Sequence, residues 1–126
     1  MLQASALSVA FTVNDIDRSL RWYTEVLGFT VDQRHEREGT LMAVSLKAGA
    51  VRMLLGRDDG KKGWDRVKGQ GMSIQLTTSQ NIDEIAERIK IAGVTLQTEP
   101  ETAPWGARLF RVKDPDGFLL VISSPR

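Results

Sequence analysis

The chain predicts an α+β fold: two βαβββ modules forming a curved mixed sheet around a cleft, with the helices outside. Three observations lead there. Gly28 and Gly93 stand 65 residues apart, and each closes an amphipathic segment that follows a short apolar strand. Ser8 and Ser73, which open those strands, keep the same offset, so the glycine spacing belongs to an internal repeat. Each copy then continues into three further runs with strand-like composition, separated by turn residues.

In the first copy Val9, Phe11 and Val13 alternate with Ser8, Ala10 and Thr12, giving a strand with one oily face and one small, polar face. A helix is expected over about 16–27, because Leu20, Tyr23, Thr24 and Leu27 recur at three- and four-residue spacing. Asn14 or Asp15 is placed to cap it and Gly28 to end it. Tyr23 is expected in the core with its hydroxyl at the rim. Strands follow at Phe29–Arg37, Thr40–Leu46 and Val51–Leu55, with turns at Glu38-Gly39 and Ala48-Gly49.

The glycine-rich, charge-alternating stretch 57–70 reads as a linker or mobile flap in which Trp64 is the single large apolar group. The second copy begins with Met72–Thr77 and continues into a helix near 81–92, whose stripe is Ile82, Ile85, Ala86, Ile89 and Ala92. Asn81 and Glu84 have the spacing of a capping box. Strands are expected at Thr95–Thr98, Arg108–Lys113 and Phe118–Ser123. The last two are joined by Asp114-Pro115-Asp116-Gly117, a type I turn whose carboxylates accept local backbone bonds rather than perform acid–base work.

A chain of 126 residues supports one well-buried core and not two ordinary independent domains. A single domain, 1–126, is therefore expected, with module one at about 6–56 and module two at about 71–124. Each module alone covers one sheet face with its helix and leaves the other bare. Two sheets bent around a shared cleft answer that need.

The net charge is +1, and the basic residues of 57–68 are interleaved with Asp58, Asp59 and Asp65, so no nucleic acid partner is expected. There is no cysteine, which excludes disulfides, thiolate nucleophiles and zinc–thiolate sites. No apolar run approaches the roughly 20 residues of a membrane-spanning helix, and the first residues lack a basic leader, so no membrane partner and a cytoplasmic location are expected. No Ser-His-Asp or lysine-based nucleophile arrangement is visible in the spacing.

Two segments resemble a known superfamily: Val13-Asn14-Asp15-Ile16-Asp17-Arg18-Ser19-Leu20-Arg21-Trp22-Tyr23-Thr24-Glu25-Val26-Leu27-Gly28-Phe29, and Pro104-Trp105-Gly106 followed by Phe110 to Phe118. Both are similar to the vicinal oxygen chelate proteins, the group of glyoxalase I, extradiol dioxygenases and bleomycin-resistance proteins. The metalloenzymes of that group hold a divalent ion with His or Glu from four strands. By this resemblance the four positions fall on Ser8, Met53, Ser73 and Val121, and Met53 and Val121 are thereby placed inside the cleft as ligand contacts, or equally as ordinary core. A hydroxyl, a thioether and a valine do not supply the donors such ions need, so no metal and no cofactor is expected. The only histidine, His35, lies in the charged run Gln33–Arg37 and reads as a half-exposed strand residue beside Glu36.

The resemblance therefore implies a metal-free binding protein of the bleomycin-resistance type, a homodimer that sequesters a planar or aromatic small molecule, and no catalytic residue. The rival is a metal-dependent glyoxalase-like lyase or extradiol-type dioxygenase with non-standard ligands, His35 and Glu36 among them. Alternation puts Ser8, Ala10 and Thr12, and likewise Ser73, Gln75 and Thr77, on the face opposite the oily one; the pattern fits a cleft wall and a water-exposed sheet face alike, and the repeat favours the cleft. Trp64 and Trp105 sit in glycine-containing loops, placed to stack on a flat ligand or to pack at a dimer seam. Arg111 alternates with Phe110 and Val112 and projects either toward an anionic or carbonyl group or into solvent. Pairing of the modules within one chain and exchange between protomers bury the same faces, so both remain open.

Overall fold

The two copies of the repeat fold into the same sequence of elements. The first runs β1 (Val9–Val13), α1 (Ile16–Arg21), β2 (Thr30–Arg37), β3 (Thr40–Ala48) and β4 (Val51–Arg57). The second runs β5 (Ile74–Thr77), α2 (Ile82–Ile91), β6 (Thr98–Thr102), β7 (Arg108–Lys113) and β8 (Leu119–Ser123). The structure is a computed structural model that describes residues 1–126. The chain divides into two compact units, Met1–Trp64 and Asp65–Arg126. Each holds one four-stranded mixed sheet, ordered β1-β4-β3-β2 and β5-β8-β7-β6. In both, the first strand lies parallel to the last and the remaining pairs are antiparallel.

In the first unit Phe11, Val13, Val44, Leu46 and Leu55 are at most 2% exposed and form the sheet's apolar face, on which α1 packs against β3 and β4. Burying side chains of this size stabilises the fold by about 1.5–3 kcal/mol each. Asp15 caps α1, its Oδ1 accepting from the Arg18 amide at 3.1 Å. The expected helix over 16–27 is regular only to Arg21. From Trp22 to Val26 it widens into a π-helical turn, with the Leu27 amide reaching the Trp22 carbonyl at 3.4 Å. The Thr24 hydroxyl donates to the Leu20 carbonyl at 2.8 Å just where the ladder loosens. Tyr23 is fully buried, edge-on to Trp22 at 4.9 Å and to Phe29 at 5.7 Å, so its hydroxyl lies inside the core and not at the rim.

In the second unit α2 is capped by Asn81, whose Oδ1 accepts from the Glu84 amide at 3.0 Å. Ile82, Ala86 and Ile89 form its buried stripe, and α2 packs on β6 and β7. Phe110, Val112, Leu120 and Ile122 belong to the buried sheet face. The sixth strand lies at Thr98–Thr102 and not at Thr95–Thr98. The apolar alternation of Val94 and Leu96 reflects a packed connection, since Leu96 is 8% exposed without being in a strand. Pro100 does not end the strand, because β6 is an edge with a register shift between Thr98 and Glu101.

The 57–70 stretch is held at both ends rather than hanging as a free flap. The Asp58 amide donates to the Val13 carbonyl at 2.9 Å, and the Asp58 side chain is buried, accepting from the Gly60 amide at 2.9 Å. At the far end Lys68 stands 4.0 Å from Asp116. A Cβ on Gly69 would fall 2.9 Å from Phe118 Cδ1, so only glycine allows this approach.

Candidate functional site

Each sheet has one face under its own helix and one face free of it, and strand register decides which residues occupy each. In the first unit Ala10, Leu54, Ser45 and Gln33 form one row across the helix-free face; Thr12, Gly56, Ala43 and His35 form the next. Ala10, Thr12, Leu54, Gln33 and His35 are exposed. Ser8 lies one residue before β1 and is exposed, in line with Ala10 and Thr12. Met53 pairs instead with Val9 and Leu46 and is 6% exposed, on the face that packs under α1. The residue of β4 that shares the face with Ser8 and Ala10 is Leu54, so Met53 belongs to the core. Its displacement by one position follows from the two-residue period of a strand.

In the second unit Gln75, Val121, Arg111 and Thr98 form a row on the helix-free face. Ser73, like Ser8, precedes its strand by one residue and is exposed. Val121 is 7% exposed and forms a small apolar cluster with Ala103 and Leu109. Ala103 begins the turn that carries Trp105: the Gly106 amide donates to the Ala103 carbonyl at 2.9 Å, and the Ala103 amide to that of Ala107 at 2.8 Å. The structure thus brings Gln75, Val121 and Arg111 together and sets Trp105, 54% exposed, on the turn that Ala103 opens. Arg111 Nη1 donates to Glu101 Oε1 at 3.3 Å, and its backbone amide donates to the Thr98 hydroxyl at 3.0 Å.

Trp64, also 54% exposed, ends the first unit in a tight loop. Its carbonyl accepts from Asn14 Nδ2 at 3.0 Å, and its indole lies directly over Gly60. One side of the ring is thereby backed by the loop. Residues that the sequence alone did not single out are Leu54, Ser45 and Gln33; the alternation of Ala43, Ser45 and Lys47 with Val44 and Leu46 in β3 carries the signal for Ser45.

No three His, Asp or Glu side chains gather where they would hold a metal ion. His35 and Glu36 flank a register shift between β2 and β3, His35 beside Ala43 and Glu36 beside Leu41, and no third His, Asp or Glu joins them to hold an ion. The residues present do not fit a divalent metal centre of the His and carboxylate kind.

The displaced titrations lie elsewhere. Asp83 is held below its ordinary pKa by its hydrogen bond from Arg108, while Lys90 is raised by Glu99 and then Glu87. All belong to α2 and the groups that pair with it. A shallow groove of about 780 Å³ along α2, lined by Gln80, Asn81, Asp83, Glu84, Glu87 and Arg88, shares no residue with the helix-free faces.

A paired βαβββ architecture with two helix-free sheet faces defines an α+β protein of the vicinal oxygen chelate fold. The family model described as the Glyoxalase/Bleomycin resistance protein/Dioxygenase superfamily matches residues 6–122, and the chain belongs to that superfamily. Among solved structures, a superfamily member from Sphaerobacter thermophilus DSM 20745 is 26% identical over 99% of this chain and 100% of its own, with a TM-score of 0.79. TioX from Micromonospora sp. ML1 is 25% identical over 97% of each chain, with a TM-score of 0.74. UcmS2 shares the fold at 22% identity, covering 97% of this chain and 98% of its own, with a TM-score of 0.77. No curated protein matches the chain. No helix is long and apolar enough to cross a membrane.

Proposed function

We propose that the protein binds a planar or aromatic small molecule on its helix-free sheet faces, without a metal ion, and acts by sequestering it as a cytoplasmic homodimer. One feature carries this reading: the positions that the resemblance sets against the donors of related metalloenzymes are Ser8, Met53, Ser73 and Val121, none a His or a carboxylate, and Leu54, which stands on the helix-free face beside the buried Met53, is no donor either. Without an ion to polarise a carbonyl or activate dioxygen, these faces offer hydroxyls, an amide and apolar floor, which is the composition of a binding surface. Ser8, Ala10, Thr12, Ser73 and Gln75 supply polar edges. Val121 supplies apolar floor, and Trp64 and Trp105 supply rings able to stack.

The test combines two measurements on the purified chain. Elemental analysis is expected to show far less than one divalent ion per protein. Titration with flat aromatic compounds is expected to quench tryptophan fluorescence saturably, with an unchanged response after chelation. Stoichiometric metal, or chelator-sensitive turnover of a thiohemiacetal or catechol, would establish the metalloenzyme alternative and overturn this one. Sedimentation equilibrium tests the dimer.

A further inference from the structure

The charge on the helix-free faces has a sign. On the face of the second unit Arg111 pairs with Val121, and Lys113 with Leu119, while Glu101 is the single strand carboxylate there, opposite Leu109. Glu101 is engaged by Arg111 at 3.3 Å, but with 59% of its own side chain exposed. An exposed carboxylate on a flexible stem holds a guanidinium weakly, because solvent screens the attraction and holding the geometry costs side-chain entropy. Arg111 itself is only 33% exposed and is register partner to the buried Val121, so the guanidinium stem rises beside the apolar cluster of Ala103, Leu109 and Val121.

The first unit repeats the bias. Lys47 and Arg52 are register partners on its helix-free face, and the carboxylate reaching them is Asp32, 3.3 Å from Arg52. In both units, then, basic side chains outnumber acidic ones on the face left free by the helix, although the chain as a whole is nearly neutral at +1.

We propose that the ligand is a planar aromatic acid, whose carboxylate takes the Arg111 guanidinium in place of Glu101 while its ring lies along the apolar floor beside it. The statement rests on the binding function proposed above and adds the ligand's charge. A ligand carboxylate arrives on a rigid ring, forms the two parallel bonds for which guanidinium is shaped, and shields the pair from water in a way Glu101 does not.

Isothermal titration of the intact chain with 2-naphthoate, 2-naphthamide and (2-naphthyl)methylammonium separates the possibilities. The acid is expected to bind about tenfold or more tightly than the amide, and the ammonium more weakly still. Arg111→Gln is expected to bring the acid's affinity down to that of the amide, abolishing the preference for the acid. Glu101→Gln, which removes the competing carboxylate, is expected to tighten the acid alone. Equal or reversed preference in the native chain, or an acid–amide gap that survives Arg111→Gln, overturns the proposal and leaves small-molecule binding standing. Failure of all three compounds to bind, with the chain shown by circular dichroism to be folded, overturns both.

Discussion

The Lys68 ammonium and the Asp116 carboxylate face each other at 4.0 Å, with only 5% and 1% of their side chains exposed. That contact ties the end of the 57–70 stretch to the turn between β7 and β8. The same turn is stiffened by Asp114, whose Oδ1 accepts from the amides of Asp116 and Phe118 at 3.0 and 2.9 Å. Gly69 then passes flat over Phe118. A segment with the composition of a flap is therefore a strap with a fixed anchor.

The strap's anchor predicts that Gly69→Ala destabilises the protein by about 1–3 kcal/mol, because the new methyl meets Phe118 and the backbone has a positive φ of 75°. Limited proteolysis should show new cleavage within 57–68 in this variant. Native-like resistance in that stretch would refute the anchoring role.

The faces of β4 predict opposite outcomes for two adjacent residues. Met53→Ala should cost about 2–5 kcal/mol in denaturant unfolding, as the loss of a buried side chain under α1. Leu54→Ala, at 36% exposure, should cost within about 0.5 kcal/mol and should instead weaken ligand binding. Reversal of the two stability effects would show the register to be wrong.

Arg108 holds Asp83 with Nε and Nη2 at 2.8 and 2.7 Å, fastening the first turn of α2 to β7. Because the Asp83 pKa is lowered on folding, its contribution is present above the unfolded value of about 3.9 and disappears as pH falls through the lower folded value. Asp83→Asn should lower the melting temperature at pH 7 and converge with the native chain on acidification below about pH 4. High salt should narrow the difference at pH 7.

The loop behind Trp64 predicts that Gly60→Ala displaces the indole, since a Cβ would come within 2.4 Å of Trp64 Cε2. With 5-fluorotryptophan incorporated, the resonance that vanishes in Trp64→Phe should be the one that shifts in Gly60→Ala. Aromatic ligand affinity should fall along with it if Trp64 supplies a stacking surface.

The local order of this protein was legible in the chain because it depends on neighbours a few residues apart. The glycine-marked repeat, the caps at Asp15 and Asn81, the Asp114–Gly117 turn and the bounds of β7 all follow from spacing and turn chemistry. The sixth strand misled because Val94 and Leu96 alternate as a strand would while packing as a connection.

Alternation alone divides β4 into two sets, Met53 with Leu55 and Arg52 with Leu54, without saying which set meets the helix. Pairing with Val9 and Leu46 decides it, and so moves the candidate contact from Met53 to Leu54. The sequence by itself determined the repeat and most of its elements. Only the tertiary structure decided which side of each sheet lies under its helix, how Arg111 is paired and where the strap is fastened, because those depend on contacts between residues far apart along the chain.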